Sequence, residues 1–397
     1  MNSELALFGG SMTITRALKG YDPIDDIDQT RVDAVLRSRR LSGFMGAAGD
    51  AFLGGPEVRA LESQFAERCH ANFAVTTNSW TSGLLAGLLS MGIRPGDEVV
   101  TTPWTMCATS AAIRQAGAVP RYVDISPVDF NLDIDQISSV VTEKTAAILA
   151  VDIFGKPTDR LRLRDAARHL GVPVLVDAAQ APLMSPGYPI DNSDVTVWGY
   201  SFNYHKHIHC GEGGVALTAD STLAERMQRV RNHGEILGGS DDFAKVPGYN
   251  FRLGELESAL LAGQLERLDS LVRSRQVAAK YLSDGLCELP GLTCPRVSVG
   301  EAHAYYILGM TLDPDLGSRR DLIIQALRAE GVPDLMGGYQ NIHLLPAYSD
   351  GARLPVAEGL HNDTFLGIYM CGKQWDAADC QLTVEAFAKV WRGLRLH

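Results

Sequence analysis

Apolar residues follow two different spacings from about residue 56 onward. Val58, Leu61 and Phe65 recur every three or four residues, which is the spacing of one face of a helix. The segment FAVTT after them is a short apolar run, which is typical of a buried strand. Strand and helix signals then alternate through the segments PGDEVVTT, ATSAAIRQAG, AAILAVDI, DRLRLRDAARHLG and PVLVDAAQ. Because crossover helices join parallel strands, this order predicts an α/β fold whose mostly parallel sheet lies between helices.

The pattern changes after the strand signal GGVAL. One amphipathic helix is predicted from about Leu253 to Leu286, a length that usually bridges two domains or an interface. Strand and helix signals of a smaller α+β unit follow it to the end of the chain. We therefore predict a large α/β domain with an N-terminal arm over residues 1–270 and a small C-terminal α+β domain over residues 271–397.

Composition narrows the class of protein. The chain has 397 residues, of which 46% are hydrophobic and 21% charged, close to the average for soluble globular proteins. Its net charge of −11 argues against a nucleic-acid partner, because binding to phosphates requires a basic face. A small-molecule substrate is the better expectation.

The seven cysteines point to a reducing compartment. Their number is odd and no two have the C-x-x-C spacing, so neither a disulfide framework nor a zinc ribbon is expected. The sequence MNSELALFGG lacks the features of an export signal, and no segment has the roughly 18 consecutive apolar residues of a membrane span. A cytoplasmic protein without a membrane partner is predicted.

The stretch SFNYHKHIHCGEGGVAL allows three interpretations. In an extended strand, the alternating His205, His207 and His209 would share one face and could bind Zn²⁺. The stretch could instead be a polar loop leading into a strand. In the third interpretation, Lys206 is the functional residue.

Candidate chemistry also follows other strands, at the sheet edge where α/β proteins bind ligands. Asp177 and Gln180 come directly after the strand PVLV. The residues from Asn78 to Gly83 lie at a predicted helix start, where hydroxyl side chains and the helix dipole can bind an anion. Each feature alone has a common structural explanation as a helix cap, a turn or a surface residue.

Together these features match the requirements of pyridoxal phosphate (PLP). This cofactor needs a lysine for its Schiff base, an acid to keep its pyridine nitrogen protonated, and an anion site for its phosphate. A carboxylate about 4 Å from the pyridinium contributes about 4 kcal/mol at an effective dielectric constant near 20. The glycines between Gly211 and Gly214 would let the backbone pass close to the ligand.

Several motifs follow one another along the chain in this order: PGDEVV, VDAAQA, S-F-x-x-x-K-x-x-x-x-GEGG, RNHG, GYNFRLGELESA and Y-x-x-I-H. In this order they resemble the DegT/DnrJ/EryC1/StrS aminotransferases, which belong to the fold type I PLP-dependent transferases, and the resemblance covers the whole chain. The spacing of three between Asp177 and Gln180 and of five between Ser201 and Lys206 both agree with that family.

The resemblance implies roles for individual residues. Lys206 would form the Schiff base and later move a proton, Asp177 would pair with the pyridine nitrogen, and Gln180 would bond to the ring hydroxyl. The residues implied at the phosphate are Ser79, Thr81, Ser201 and the backbone around Trp80.

The resemblance also implies a homodimer with shared active sites. Asn250 is similar to a family asparagine that reaches the phosphate of the other subunit, and Arg252 lies near it in sequence. Met106 stands where the family usually stacks an aromatic ring on the pyridine. Tyr339 and His343 would approach the substrate.

Three positions depart from the family pattern. Trp80 replaces a small residue of the phosphate loop, Met106 replaces the aromatic residue, and Asp152 stands where histidine is common. Methionine can still pack on a ring, but without the stacking geometry of an aromatic residue. These changes affect the expected substrate more than the expected cofactor.

The predicted function is a PLP-dependent aminotransferase. The family implies L-glutamate or L-glutamine as amino donor and a nucleotide-linked keto-sugar or a keto-cyclitol as acceptor. Because Lys206 is assigned to the Schiff base with PLP, no metal is expected in the histidine stretch. One alternative is a sugar dehydratase of the same fold, but such enzymes resemble this chain with histidine in place of Lys206. The other is an inactive regulatory homologue, which would have no need of Lys206, Asp177 and Gln180 together.

Overall fold

A computed structural model of the protein describes residues 4–47, 49–184, 191–235, 247–295, 297 and 302–396. The helices are α1 (Asp26–Ser38), α2 (Pro56–Arg68), α3 (Trp80–Ser90), α4 (Ala108–Gln115), α5 (Arg160–Leu170), α6 (Ser221–Arg231), α7 (Glu255–Leu286), α8 (Pro314–Gly317), α9 (Arg320–Ala329), α10 (Pro355–Gly359) and α11 (Ala377–Leu394). The strands are β1 (Phe73–Thr77), β2 (Glu98–Thr101), β3 (Val119–Tyr122), β4 (Thr145–Val151), β5 (Val174–Asp177), β6 (Val197–Ser201), β7 (Gly214–Thr218), β8 (Leu292–Thr293), β9 (Ile307–Leu312), β10 (Leu335–Gly337) and β11 (Phe365–Tyr369).

The first seven strands form one sheet in the order β1-β7-β6-β5-β4-β2-β3. The neighbouring pairs from β6 to β3 are parallel, and only β7 runs antiparallel to its neighbours β1 and β6. Helices separate most of the parallel strands along the chain, as crossover connections require. The predicted α/β fold with a mostly parallel sheet is confirmed.

Side chains of the central strand β5 alternate between two buried cores. Val174 and Val176 pack in one core, whereas Leu175 packs in the other together with Trp80. Burial on both faces explains why the strand reads as a continuous apolar run. The polar Asp177 ends this strand, so it lies at the carboxyl edge of the sheet.

The long helix α7 extends from the large sheet to the C-terminal elements. Its Leu261, Leu265, Leu268 and Val272 recur at helical spacing and are all buried. The helix contacts α1 and α2 in the first part of the chain and α11 at its end. The predicted helix from Leu253 to Leu286 is therefore confirmed to within two residues of its start.

The C-terminal part contains a second, antiparallel sheet in the order β10-β11-β9-β8. The predicted domain boundary at residue 270 lies inside α7, and the division into domains 1–270 and 271–397 stays a prediction.

Within the part of the chain that the structure describes, no helix is long and apolar enough to cross a membrane.

Candidate active site

Lys206 lies just beyond β6, in the irregular segment between β6 and β7. Its Nζ atom sits over the ring of Tyr306, 4.4 Å from the ring centroid. Burial lowers the pKa of Lys206 to about 8, and the negative charge of Asp177 opposes part of that shift. A substantial neutral fraction near physiological pH gives this amine the reactivity that a covalent role requires.

Asp177 is buried at the end of β5 and holds three hydrogen bonds. Its Oδ1 accepts from Trp80 Nε1 at 2.8 Å and from the backbone N–H of Ala179 at 3.1 Å. Its Oδ2 accepts from the hydroxyl of Thr109 at 3.0 Å. Burial raises the pKa of Asp177, and these three donors and the charge of Lys206 act in the opposite direction. Fixed donors therefore orient both oxygens of this carboxylate, and its charge interacts with that of Lys206.

The indole of Trp80 fits beneath this site because two glycines make room for it. A Cβ atom at Gly199 of β6 would lie 2.2 Å from the indole, and one at Gly83 would lie 2.5 Å from it. Only glycine can therefore occupy these positions beside the ring. The side chain is 4% exposed and directed toward Asp177.

Gln180 connects the site to the C-terminal part of the chain. Its side-chain oxygen accepts from the backbone N–H of Phe154 at 2.7 Å. Its side-chain nitrogen donates to the hydroxyl of Tyr339 at 3.3 Å. Two residues predicted from distant motifs are therefore in direct contact.

The start of α3 lies beside the ends of β6 and β7. The hydroxyl of Ser79 caps the helix by accepting from the backbone N–H of Ser82 at 3.1 Å. The first N–H groups, including those of Trp80 and Thr81, have no acceptor within their own helix. Ser201 pairs with Gly214, where an added Cβ would lie 2.6 Å from the backbone of Trp80. The four predicted phosphate residues therefore converge on one helix N-terminus.

Met106 lies just before α4 and is 60% exposed. Its sulfur accepts from the backbone N–H of Ala108 at 3.1 Å, which fixes the side chain locally. Its backbone oxygen accepts from the N–H of Thr109 at 3.2 Å, so Met106 lies one helical turn from a residue that bonds Asp177.

Asn250 and Arg252 lie near the same helix start in a single chain. The side-chain amide of the exposed Asn78 donates to the backbone oxygen of Asn250 at 3.3 Å. Arg252 Nη1 donates to the side-chain oxygen of Asn232 at 2.9 Å. Asn250 itself is exposed in the single chain.

His343 is fully buried, unlike the half-buried Tyr339. Its Nε2 lies 3.4 Å from the carboxylate of Glu358, whose pKa is lowered mainly by the backbone N–H of Leu354 and further by this histidine. Of the two residues predicted to approach the substrate, the structure brings only Tyr339 into contact with the other site residues.

The three histidines around Lys206 do not share a strand face. His207 is buried and its Nε2 donates to the carbonyl of Ala304 at 2.8 Å, while burial lowers its pKa well below the ordinary value. His205 is exposed and packs on Tyr204. Among the described residues, no group of three His, Cys, Asp or Glu side chains could hold a metal ion. The zinc alternative for this stretch therefore has no geometric support.

Comparison with known proteins identifies the family. The DegT/DnrJ/EryC1/StrS aminotransferase family matches residues 45–370. The chain belongs to this family. A relative from Streptoalloteichus tenebrarius, whose name assigns it as an L-glutamine:3-amino-2,3-dideoxy-scyllo-inosose aminotransferase, is 30% identical over 99% of both chains.

Two solved structures share the fold of this aminotransferase. DesI, crystallised in the presence of its TDP-sugar product, is 27% identical and superposes with a TM-score of 0.83 over 99% of this chain and 98% of its own. NtdA from Bacillus subtilis, determined with bound cofactor PMP, superposes with a TM-score of 0.79 over 95% of this chain and 86% of its own, at 23% identity. The family is PLP-dependent, so the predictions of cofactor and enzyme class are confirmed.

The residues present in this aminotransferase fit PLP. When bound, PLP supplies an electron-withdrawing ring that weakens bonds at the attached substrate carbon. Lys206 would hold its aldehyde, Asp177 its ring nitrogen, Gln180 its ring hydroxyl, and the start of α3 its phosphate. The fit rests on the lowered pKa of Lys206 to about 8 and on the open N–H groups at the helix start.

Sequence reasoning missed two residues of the site. Thr109 supports Asp177 from α4, and Tyr306 lies under the amine of Lys206. Each meets its partner through the fold and not through sequence spacing, since Thr109 lies 68 positions before Asp177 and Tyr306 lies in the C-terminal part, far along the chain from Lys206. One feature of the sequence could have indicated Thr109. Its hydroxyl lies at the start of α4, the helix after β2, and that helix begins at the ligand-binding edge of the sheet.

Proposed function

We propose that this enzyme transfers an amino group from L-glutamate or L-glutamine to a nucleotide-linked keto-sugar or a keto-cyclitol. The observation that carries the transfer chemistry is that a half-buried Lys206 after β6 and the buried carboxylate of Asp177 at the end of β5 lie close enough for their charges to interact, with the pKa of Lys206 lowered to about 8. Donor and acceptor would bind in turn at the same site, with the cofactor alternating between PLP and its amine form.

Similarity supports the two classes of acceptor. The relative from Streptoalloteichus tenebrarius is named for a cyclitol substrate and matches over nearly the full length of both chains. DesI was crystallised with a TDP-sugar product. Both acceptors are polyhydroxylated rings with one carbonyl, so one site chemistry suits either.

The donor half of the reaction gives a direct test. Adding L-glutamate or L-glutamine to the PLP-loaded enzyme is expected to bleach the visible absorption band of the cofactor as its amine form accumulates. The amine form is then incubated with a panel of keto-sugar nucleotides and keto-cyclitols, and the true acceptor restores the band. If neither donor bleaches the band while alanine or aspartate does, the proposed donor is wrong. If the band never responds to any amino acid, aminotransfer itself is wrong.

We also propose that two subunits share each active site, with Asn250 of one chain reaching the phosphate site of the other. The exposed side chain of Asn250 supports this arrangement, because a residue that contacts a second subunit has to be exposed in the single chain. The homodimer and the cytoplasmic location stay predictions.

Complementation between two inactive variants tests the shared site. Lys206→Ala and Asn250→Ala enzymes are each expected to be inactive, but a hybrid dimer would carry both changes in one site and none in the other. Random assembly of equal amounts should restore about a quarter of wild-type activity, because half of the dimers are hybrids with one intact site. The assay is aminotransfer after co-expression with two different affinity tags. Purified hybrids without activity would show that each site is built from one chain.

A further inference from the structure

The carboxylate of Asp177 has one acceptor position left after its contacts within the chain. A carboxylate offers about four lone-pair positions, two on each oxygen. Oδ1 already accepts from Trp80 Nε1 at 2.8 Å and from Ala179 N at 3.1 Å. Among the residues that the structure describes, Oδ2 accepts only from Thr109 Oγ1, at 3.0 Å. The open position is therefore on Oδ2.

The donor from Trp80 is fixed in direction. An indole has a single N–H and no acceptor, so it can serve only one partner. The ring is clamped between Gly199 and Gly83, each with room for hydrogen but not for a Cβ atom. Neither the ring nor its hydrogen bond can be redirected without moving β6 or α3.

The second oxygen is oriented by a chain of hydroxyls. Thr105 Oγ1 and Thr109 Oγ1 lie 2.7 Å apart, and both residues are buried. Thr109 donates its proton to Asp177, so it accepts the proton of Thr105 in this pair. This arrangement occupies one side of Oδ2 and leaves the other side open.

We propose that Trp80 is a positioning residue that saturates Oδ1 of Asp177, keeps this carboxylate charged and directs Oδ2 at the ring nitrogen of PLP. The proposal rests on the proposed function, since it concerns the acid that serves the same cofactor. It also gives a physical reason for a tryptophan where the family has a small residue in the phosphate loop.

The electrostatics of the buried pair agree with this role. Burial raises the pKa of Asp177, and the hydrogen bond from Trp80 is one of the contacts that hold it down. Lys206 is the charged group that faces the carboxylate, and it acts in the same direction. Without the indole N–H the carboxylate is more basic, so a proton shared with the ring nitrogen lies closer to Asp177 and the ring nitrogen is less protonated.

A Trp80→Phe variant removes the N–H and keeps an aromatic ring. The matched control is Trp198→Phe. Trp198 lies on β6 and is 2% exposed, so it is as buried as Trp80, but its Nε1 has no hydrogen-bond partner among the described residues. The two readouts are the ¹⁵N chemical shift of the ring nitrogen in enzyme loaded with ¹⁵N-labelled PLP, and the dissociation constant of PLP from the apoenzyme. A charge-assisted hydrogen bond corresponds to about a 10- to 100-fold change in an equilibrium constant.

We expect Trp80→Phe to move the ¹⁵N signal toward the unprotonated value and to weaken PLP binding by about tenfold or more, whereas Trp198→Phe keeps the wild-type signal. Should Trp80→Phe fail to fold, replacement of Trp80 by benzothienylalanine preserves the ring shape without the N–H. A wild-type ¹⁵N signal in a folded variant that lacks this N–H overturns the proposal and leaves the aminotransferase function intact. A wild-type enzyme that binds no PLP overturns both.

Discussion

Replacing Lys206 with alanine is expected to lower the rate of amino transfer by roughly 10⁴-fold, the upper end of the effect of a positioned acid–base group. Lys206 is the amine that lies at the carboxyl edge of the sheet with its pKa lowered to about 8. Alanine would remove both the proposed covalent attachment and the group proposed to move the proton at the substrate carbon. PLP should still bind, because the phosphate site and Asp177 remain. The assay is steady-state transfer from L-glutamate or L-glutamine, with bound PLP measured after dialysis.

The matched control is Lys144→Ala. Lys144 is exposed in the turn that directly precedes β4, at the opposite end of that strand from the ligand-binding edge of the sheet. Its loss should therefore leave the rate unchanged. If Lys206→Ala transferred amino groups at the wild-type rate, the role assigned to this lysine would be wrong. If the variant lost PLP altogether, the contacts to the phosphate and the ring would contribute less to PLP binding than the geometry of the site indicates.

Much of this architecture could be predicted from local patterns. The strands that end at Asp177 and Ser201 are continuous apolar runs, because a sheet covered on both faces requires them. The regular spacing of Leu261, Leu265 and Leu268 predicted α7. Placement of ligand residues after parallel strands then follows from the fold alone.

The contacts that tune the site depend on pairs far apart in sequence. Trp80 and Asp177 are 97 positions apart and Thr109 and Asp177 are 68 positions apart, so no local spacing predicts either bond. The histidine alternation suggested a strand, but the segment after β6 turns instead, since Tyr204 N bonds to the carbonyl of Gly211 at 3.0 Å. His207 is drawn into the interior by its bond to Ala304, which sequence spacing cannot reveal.

Asp177→Asn is expected to lower the rate of amino transfer by roughly 10³-fold, because a carboxylate near 4 Å from a pyridinium contributes about 4 kcal/mol at an effective dielectric constant of 20. Asparagine has nearly the same size, and its oxygen can still accept from Trp80 and Ala179. Its amide nitrogen would take the position of Oδ2, where the hydroxyl of Thr109 can turn to accept. The fold is thus preserved and only the charge is lost.

The exchange also reverses the direction of the hydrogen bond to the cofactor. An amide nitrogen donates, so it would favour an unprotonated ring nitrogen and weaken the electron withdrawal that Asp177 is proposed to maintain. Measurement of kcat for the donor half-reaction checks the prediction, with the exposed Asp165→Asn on α5 as the control for loss of one carboxylate. A rate within a few-fold of wild type would mean that the ring nitrogen is not held by Asp177. The three donors around this buried carboxylate would then only supply the hydrogen bonds that a buried charged group needs in the folded chain.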